Sequence, residues 1–167
     1  YGKKLSERYP GVQFNQFAGA EMLARKYELT QDELNAFALD SHVKAKRAVE
    51  EGRFDKEIVP IQIELEDGSR ELHTQDEGIR MEATLGAIAG LQPMQENGLL
   101  TAANASQICD GAAAVMIANG ATCKRLGLKP LARIVAMSVI GSDPVIMLEG
   151  PIPATRKVLE KAAMKLD

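Results

Sequence analysis

The chain reads as an α/β protein with two characters: a helical and hairpin stretch, then alternating strand and helix segments. Three observations predict this class. Apolar residues recur at helical spacing from Phe17 to Tyr27 and again from Leu34 to Val49. Ile61, Ile63 and Leu65 alternate with polar residues and stop at Asp67-Gly68, a hairpin signal. After Leu99, two apolar runs of strand length flank a short capped segment.

Taken in order, Tyr1 to Asn15 is mixed and polar with Pro10-Gly11, and is expected to be loop. Phe17, Ala20, Leu23, Ala24 and Tyr27 form the apolar stripe of a first amphipathic helix. Thr30 followed by Glu33 is a capping box, which satisfies the free N–H groups that open a second helix. Leu34, Phe37, Ala38, Ala45, Ala48 and Val49 stripe that helix, and Gly52 is placed to end it. Beyond the hairpin, Ala112 to Ala118 reads as a buried strand. Asn119 caps a short helix that Gly127 closes. Leu131 to Ile140 is a second apolar strand, and Pro153 suits the first turn of a last helix. Val158, Leu159, Ala162 and Ala163 make its core face, an ordinary core stripe without a partner signal. Strands so far apart in sequence from any complement require partners outside this stretch.

Composition bounds the function. With 46% hydrophobic and 26% charged residues the chain is globular, so disorder is disfavoured. A net charge of -3 gives no reason to expect nucleic acid. No apolar run reaches membrane-spanning length and no signal-peptide pattern opens the chain. Two cysteines without CxxC spacing exclude a disulfide scaffold and give no zinc signal. A catalytic thiol needs a base or cation beside it, and the sequence neighbours of Cys109 are Ile108 and Asp110. Cys123 is expected to be a small, partly buried helix residue. His42 on the long helix and His73 on the hairpin lack matching ligands and read as solvated side chains.

Thr101 to Ala118, TAANASQICDGAAAVMIA, carries the most information. Nearly every side chain from Thr101 to Ser106 is small, so a ligand or another backbone could approach the main chain. On local chemistry the same residues also suit a helix cap, a turn and a core strand. As a whole the run resembles the TAGNASxxNDGAAA signature of thiolases, enzymes that cleave or form 3-ketoacyl-CoA. Three further segments resemble the family in the same order: FALDSHVKAKRAVEEGRFDKEIVP within Leu29 to Pro60, DEGIRMEATLGAIAGLQP from Asp76 to Pro93, and KPLARIVAMSVIGSDP with GPIPATRKVLEKA within Lys129 to Leu166.

The resemblance implies a partial thiolase fold. Residues 1–98 would be part of the loop domain, 99–128 the end of the N-terminal thiolase domain, and 129–167 the start of the C-terminal one. Thiolases use an N-terminal cysteine as acyl acceptor, with a His, an Asn and a second Cys from motifs such as NEAFA and CxGGG. None of these motifs occurs in this chain. With no Met at Tyr1 and an end at Leu166-Asp167, the chain is expected to be an internal piece of a longer enzyme. It would have no catalytic residue of its own and would be inactive alone.

What the resemblance assigns is binding. An Arg at the position of Arg80 contacts the nucleotide end of CoA in the family, and a guanidinium suits phosphate and adenine alike. The competing reading of Arg80 is a surface ion pair with Asp76 or Glu77. Ser106 corresponds to the signature Ser that hydrogen-bonds the pantetheine arm, and Ala102 and Ala105 to small residues lining it. The family usually has Asn at the position of Cys109, which argues further against a nucleophile there.

Three departures carry consequences. Ala87 stands where many thiolases have a CoA-contacting Ser, so that bond is expected to be absent. The loop between Pro93 and Thr101 is one residue short, which puts its contacts in doubt. Where many relatives read HMGxTAENxA, this chain has Asn15-Gln16, and with SDPVIMLEGPIPAT downstream it looks more like thiolases of longer or bulkier 3-ketoacyl-CoAs.

The parent's chemistry would be thiolase chemistry. A His-activated thiolate forms an acyl-enzyme, a second Cys moves protons, and an oxyanion hole stabilises the charged states. This piece would contribute CoA positioning. The implied partners are CoA and acyl-CoA substrates and further copies in a homodimer or homotetramer. No metal or redox cofactor, nucleic acid or membrane span is implied. The compartment would be cytoplasmic, or an organelle if a targeting signal precedes the chain. The alternative is a non-catalytic CoA-binding or interaction module derived from thiolase.

Overall fold

The computed structural model of the protein describes residues 2–166. They fall into two compact units, Ala24–Cys109 and the remainder on either side of it.

The Ala24–Cys109 unit is organised by one long helix. We number α1 as Lys3–Arg8, α2 as Gln16–Lys26 and α3 as Gln31–Glu50. The predicted capping box opens α3: the Thr30 hydroxyl accepts from the Glu33 N–H at 3.3 Å, and the Glu33 carboxylate accepts from the Thr30 N–H at 2.8 Å. The Glu33 carboxylate also accepts from the Thr30 hydroxyl at 2.8 Å, and the two bonds it accepts, the Thr30 N–H first and the hydroxyl second, hold its carboxyl below the usual range. Gly52, at φ +64°, turns the chain away as expected. The hairpin follows with β1 (Ile61–Glu64) antiparallel to β2 (Arg70–His73), Ile61 opposite His73 and Glu64 opposite Arg70. Its turn is closed by Gly68 at φ +79° and by Asp67, whose carboxylate accepts from the Ser69 N–H and hydroxyl.

α4 (Leu85–Ala89), capped by Thr84, packs on α3, as does a 3-10 turn at Ala102–Asn104. Their meeting place is the core of the unit: Ala38, Asn35, Ile88, Leu100 and Thr101 are all buried. Small Ala38 lets the two short elements approach the helix axis closely. The loop between Pro93 and Thr101 folds as a closed turn. Pro93 bridges Thr101, the Met94 N–H reaches the Leu100 carbonyl at 2.8 Å, and Arg25 donates to the Asn97 carbonyl at 3.0 Å.

The other unit departs from expectation twice. The opening residues contain α1 where a loop is expected. Lys3 and Glu7 face each other one turn apart at 3.9 Å, and Pro10 and Gly11 limit the helix to its short length. The larger correction concerns the apolar runs at 112–118 and 131–140, which form no ladder and lie open. Val115 is 86% exposed, Ile117 76% and Val139 86%. A buried strand needs neighbours for its backbone groups and for both apolar faces. Among the described residues no segment supplies them.

Around these runs the local signals hold. α5 (Gly120–Leu126) is capped by Asn119, which accepts from the Thr122 N–H at 2.8 Å, and closes on Gly127 at φ +64°. α6 (Pro151–Ala162) turns Val158, Leu159 and Ala162 inward, while Ala163 lies past its end as a left-handed cap at φ +53°. Lys157 and Lys161 of α6 donate to the Val139 and Met137 carbonyls at 2.9 and 3.2 Å. Four residues of helix and two of extended chain both advance about 6 to 7 Å, so the two rows of groups are in register. Gly19, buried in α2, lets the turn at Ile146 come close: a Cβ there would stand 2.6 Å from the Ile146 carbonyl oxygen.

Candidate functional site

All four residues expected to bind CoA, Arg80, Ala102, Ala105 and Ser106, lie in the Ala24–Cys109 unit. Thr101 anchors their signature segment. It is 1% exposed, its hydroxyl accepts from the Ala103 N–H at 3.3 Å, and its own N–H donates to the Asn104 side chain at 2.8 Å. This reciprocal cap turns the chain so that Ala102 is exposed on the 3-10 turn. Ala105 then leaves in extended conformation, with φ -107° and ψ 147°, and Ser106 is exposed with its hydroxyl outside the cap. The small residues therefore cover a fixed backbone while leaving it approachable.

Arg80 reaches the same neighbourhood through its backbone. The Gln107 side chain, next to Ser106, donates to the Gly78 carbonyl, two residues before Arg80. Gly78 itself is held by the Asp76 carboxylate, which accepts its N–H at 2.7 Å. Arg80 is exposed, and its guanidinium makes no ion pair among the described residues. Asp76 and Glu77 do not engage it, so the surface ion pair expected as the competing reading is not formed.

Sequence reasoning missed the residues that fix this segment. His42, expected to be solvated, is half-buried, and its Nδ1 accepts the Arg80 backbone N–H at 3.2 Å. One turn further along α3, the Lys46 ammonium donates to the Met81 carbonyl at 3.0 Å and pairs with Glu82 at 3.3 Å. Neither contact has a local signal, because the partners are more than thirty residues apart.

Other singled-out residues have plainer surroundings. The Ala87 N–H is taken by the Thr84 hydroxyl at 3.2 Å, so α4 begins on a cap. The Asn15 side chain accepts from the Phe17 N–H at 2.8 Å and from the Ala18 N–H, so it caps α2. Cys109 is exposed and Cys123 half-buried on α5. No helix among the described residues is long and apolar enough to cross a membrane.

Comparison with known proteins shows the family and the fold. A steroid 3-ketoacyl-CoA thiolase of Mycobacterium tuberculosis is 45% identical over 99% of the chain, which covers 39% of that protein. An acetyl-CoA acetyltransferase of Rhizobium meliloti is 49% identical over 86% of the chain and 36% of its own length. The crystal structure of the Bacillus anthracis acetyl-CoA acetyltransferase superposes with a TM-score of 0.85 at 40% identity, covering 99% of this chain and 43% of that one. The chain thus spans about two fifths of the length of these relatives. Its α/β class and its partial thiolase fold follow from that superposition. Residues 12–121 match the family described as thiolase, N-terminal domain, and the chain belongs to the thiolase family.

Proposed function

We propose that this chain supplies the CoA-positioning surface of an enzyme that cleaves or forms 3-ketoacyl-CoA by acyl transfer to and from CoA. The observation that carries the reading is the Gln107–Gly78 hydrogen bond, which ties the Arg80 segment to the segment bearing Ser106. A CoA thioester has a charged nucleotide end and a long amide arm. An exposed guanidinium and an exposed hydroxyl over small side chains suit those two parts. Arg80 would address the phosphates or adenine, Ser106 would hydrogen-bond the arm, and Ala102 and Ala105 would let it lie against the backbone.

Proton and acyl transfer are assigned to the cysteine, histidine and asparagine motifs that this sequence does not contain. The enzyme is read as a homodimer or homotetramer acting on soluble thioesters in the cytoplasm or an organelle. For the acyl group we favour longer or bulkier chains. The similarity to a thiolase named for steroid substrates supports that choice, although Asn15 serves here as a helix cap.

Titration calorimetry with CoA tests the reading. Arg80→Ala should weaken binding by about 1 to 2 kcal/mol, roughly five- to thirtyfold, for one charge-assisted contact near solvent. Ser106→Ala should cost about 0.5 to 1.5 kcal/mol. Salt should weaken the wild type more than Arg80→Ala, because screening acts on the charge removed. Equal affinity of the wild type and Arg80→Ala across a salt series overturns the assignment. Thiolysis of acetoacetyl-CoA above blank by the chain alone overturns the purely positioning role.

A further inference from the structure

We propose that His42 and Lys46 are positioning residues: together they clamp the backbone of the Arg80 segment against α3 and so fix where its guanidinium is presented. This rests on the CoA reading of Arg80 and deepens it. The Arg80 side chain is exposed, and no ion pair among the described residues locates its tip. Its place is set by its main chain. His42 and Lys46 stand one helical turn apart on one face of α3. His42 Nδ1 accepts the Arg80 N–H at 3.2 Å, and the Lys46 Nζ donates to the Met81 carbonyl at 3.0 Å. Successive residues are thereby held by a donor and an acceptor on the same rigid helix. Gln107 holds the Gly78 carbonyl from the signature side. A segment pinned at Gly78, Arg80 and Met81 gives up its freedom on folding, and a ligand then has less disorder to remove on binding.

The His42 contact has a chemical condition. An imidazole nitrogen accepts only while unprotonated, so Nδ1 must be bare and Nε2 must carry the proton. Protonation turns Nδ1 into a donor facing another donor and adds a cation to a face that already holds Lys46.

The test uses the whole chain and two readouts, amide hydrogen exchange at Arg80 and CoA affinity by calorimetry. His42→Ala should lower the protection of the Arg80 amide roughly three- to tenfold and weaken CoA binding in step. His42→Asn, whose Oδ1 can stand in for Nδ1, should restore both. Lys46→Met should weaken CoA binding while the Ile88 amide stays protected. An Arg80 amide as protected in His42→Ala as in the wild type overturns the clamp, and so does a His42→Asn variant no better than His42→Ala. Arg80→Ala in parallel separates the two readings. If it leaves CoA affinity unchanged, the CoA reading fails. If it lowers affinity while His42→Ala keeps full affinity and full protection, the clamp alone fails.

Discussion

Thr101 offers a quantitative test of how the signature segment is held. Its side chain is buried at 1% exposure, and its hydroxyl is the acceptor for the Ala103 N–H at 3.3 Å. Thr101→Val keeps the shape and removes that acceptor. The lost bond is worth about 0.5 to 1.5 kcal/mol, and the stranded N–H adds a desolvation cost reaching about 1 to 3 kcal/mol when fully buried. Ala103 is only half-buried, so water recovers part of that cost. The net expectation is about 1 to 2 kcal/mol, in line with removal of other threonine helix caps. In native-state hydrogen exchange this corresponds to a roughly five- to thirtyfold loss of protection at Ala103 and its neighbours in the Ala24–Cys109 unit. Thr101→Ser is the control. It loses a methyl, worth about 1 kcal/mol, but keeps the hydroxyl and therefore the Ala103 bond. The reasoning fails if Thr101→Val leaves Ala103 as protected as the wild type, or if Thr101→Ser exposes it equally.

Three further outcomes are expected. Gly19→Ala should lower stability by about 1 to 3 kcal/mol, because its Cβ would sit 2.6 Å from the Ile146 carbonyl; an unchanged urea midpoint contradicts the close approach. Glu33, whose carboxyl is depressed mainly by the Thr30 backbone bond, should stabilise α3 when ionised. That contribution is complete above the ordinary carboxylate range and lost as pH falls through the lower folded value. Stability should accordingly fall more steeply on acidification in the wild type than in Glu33→Gln, and parallel circular-dichroism melts would refute this. A thiol reagent should modify exposed Cys109 before half-buried Cys123, and Cys109→Ser should leave CoA affinity unchanged; a lost affinity would show that the thiol contributes.

The sequence alone determined the features that are made within a turn or two of chain. The Thr30–Glu33 capping box, the Gly52 and Gly127 terminations, the Asp67-Gly68 hairpin and the apolar stripe of α6 each depend on residues that are near one another in the chain. The unexpected α1 is local too. The polar composition of Lys3–Arg8 hid a helix that an exposed ion pair and helix-compatible residues are enough to form. The thiolase signature was legible for the same reason, being one contiguous run.

Tertiary structure decided everything that depends on where separate segments meet. The runs 112–118 and 131–140 have strand composition, yet a strand is a property of a pair, and no described segment pairs with them. His42 looked like one more solvated helix residue until the fold brought Arg80, 38 positions away, onto its Nδ1. Arg80 looked equally suited to an ion pair or to a ligand. Only the fold separates it from Asp76 and Glu77 and ties its backbone toward the segment of Ser106. A hydrogen bond within a helical turn needs no loop to close. One between α3 and the Arg80 segment has a loop to close, and burial of Ala38, Ile88 and Leu100 helps to offset that entropy.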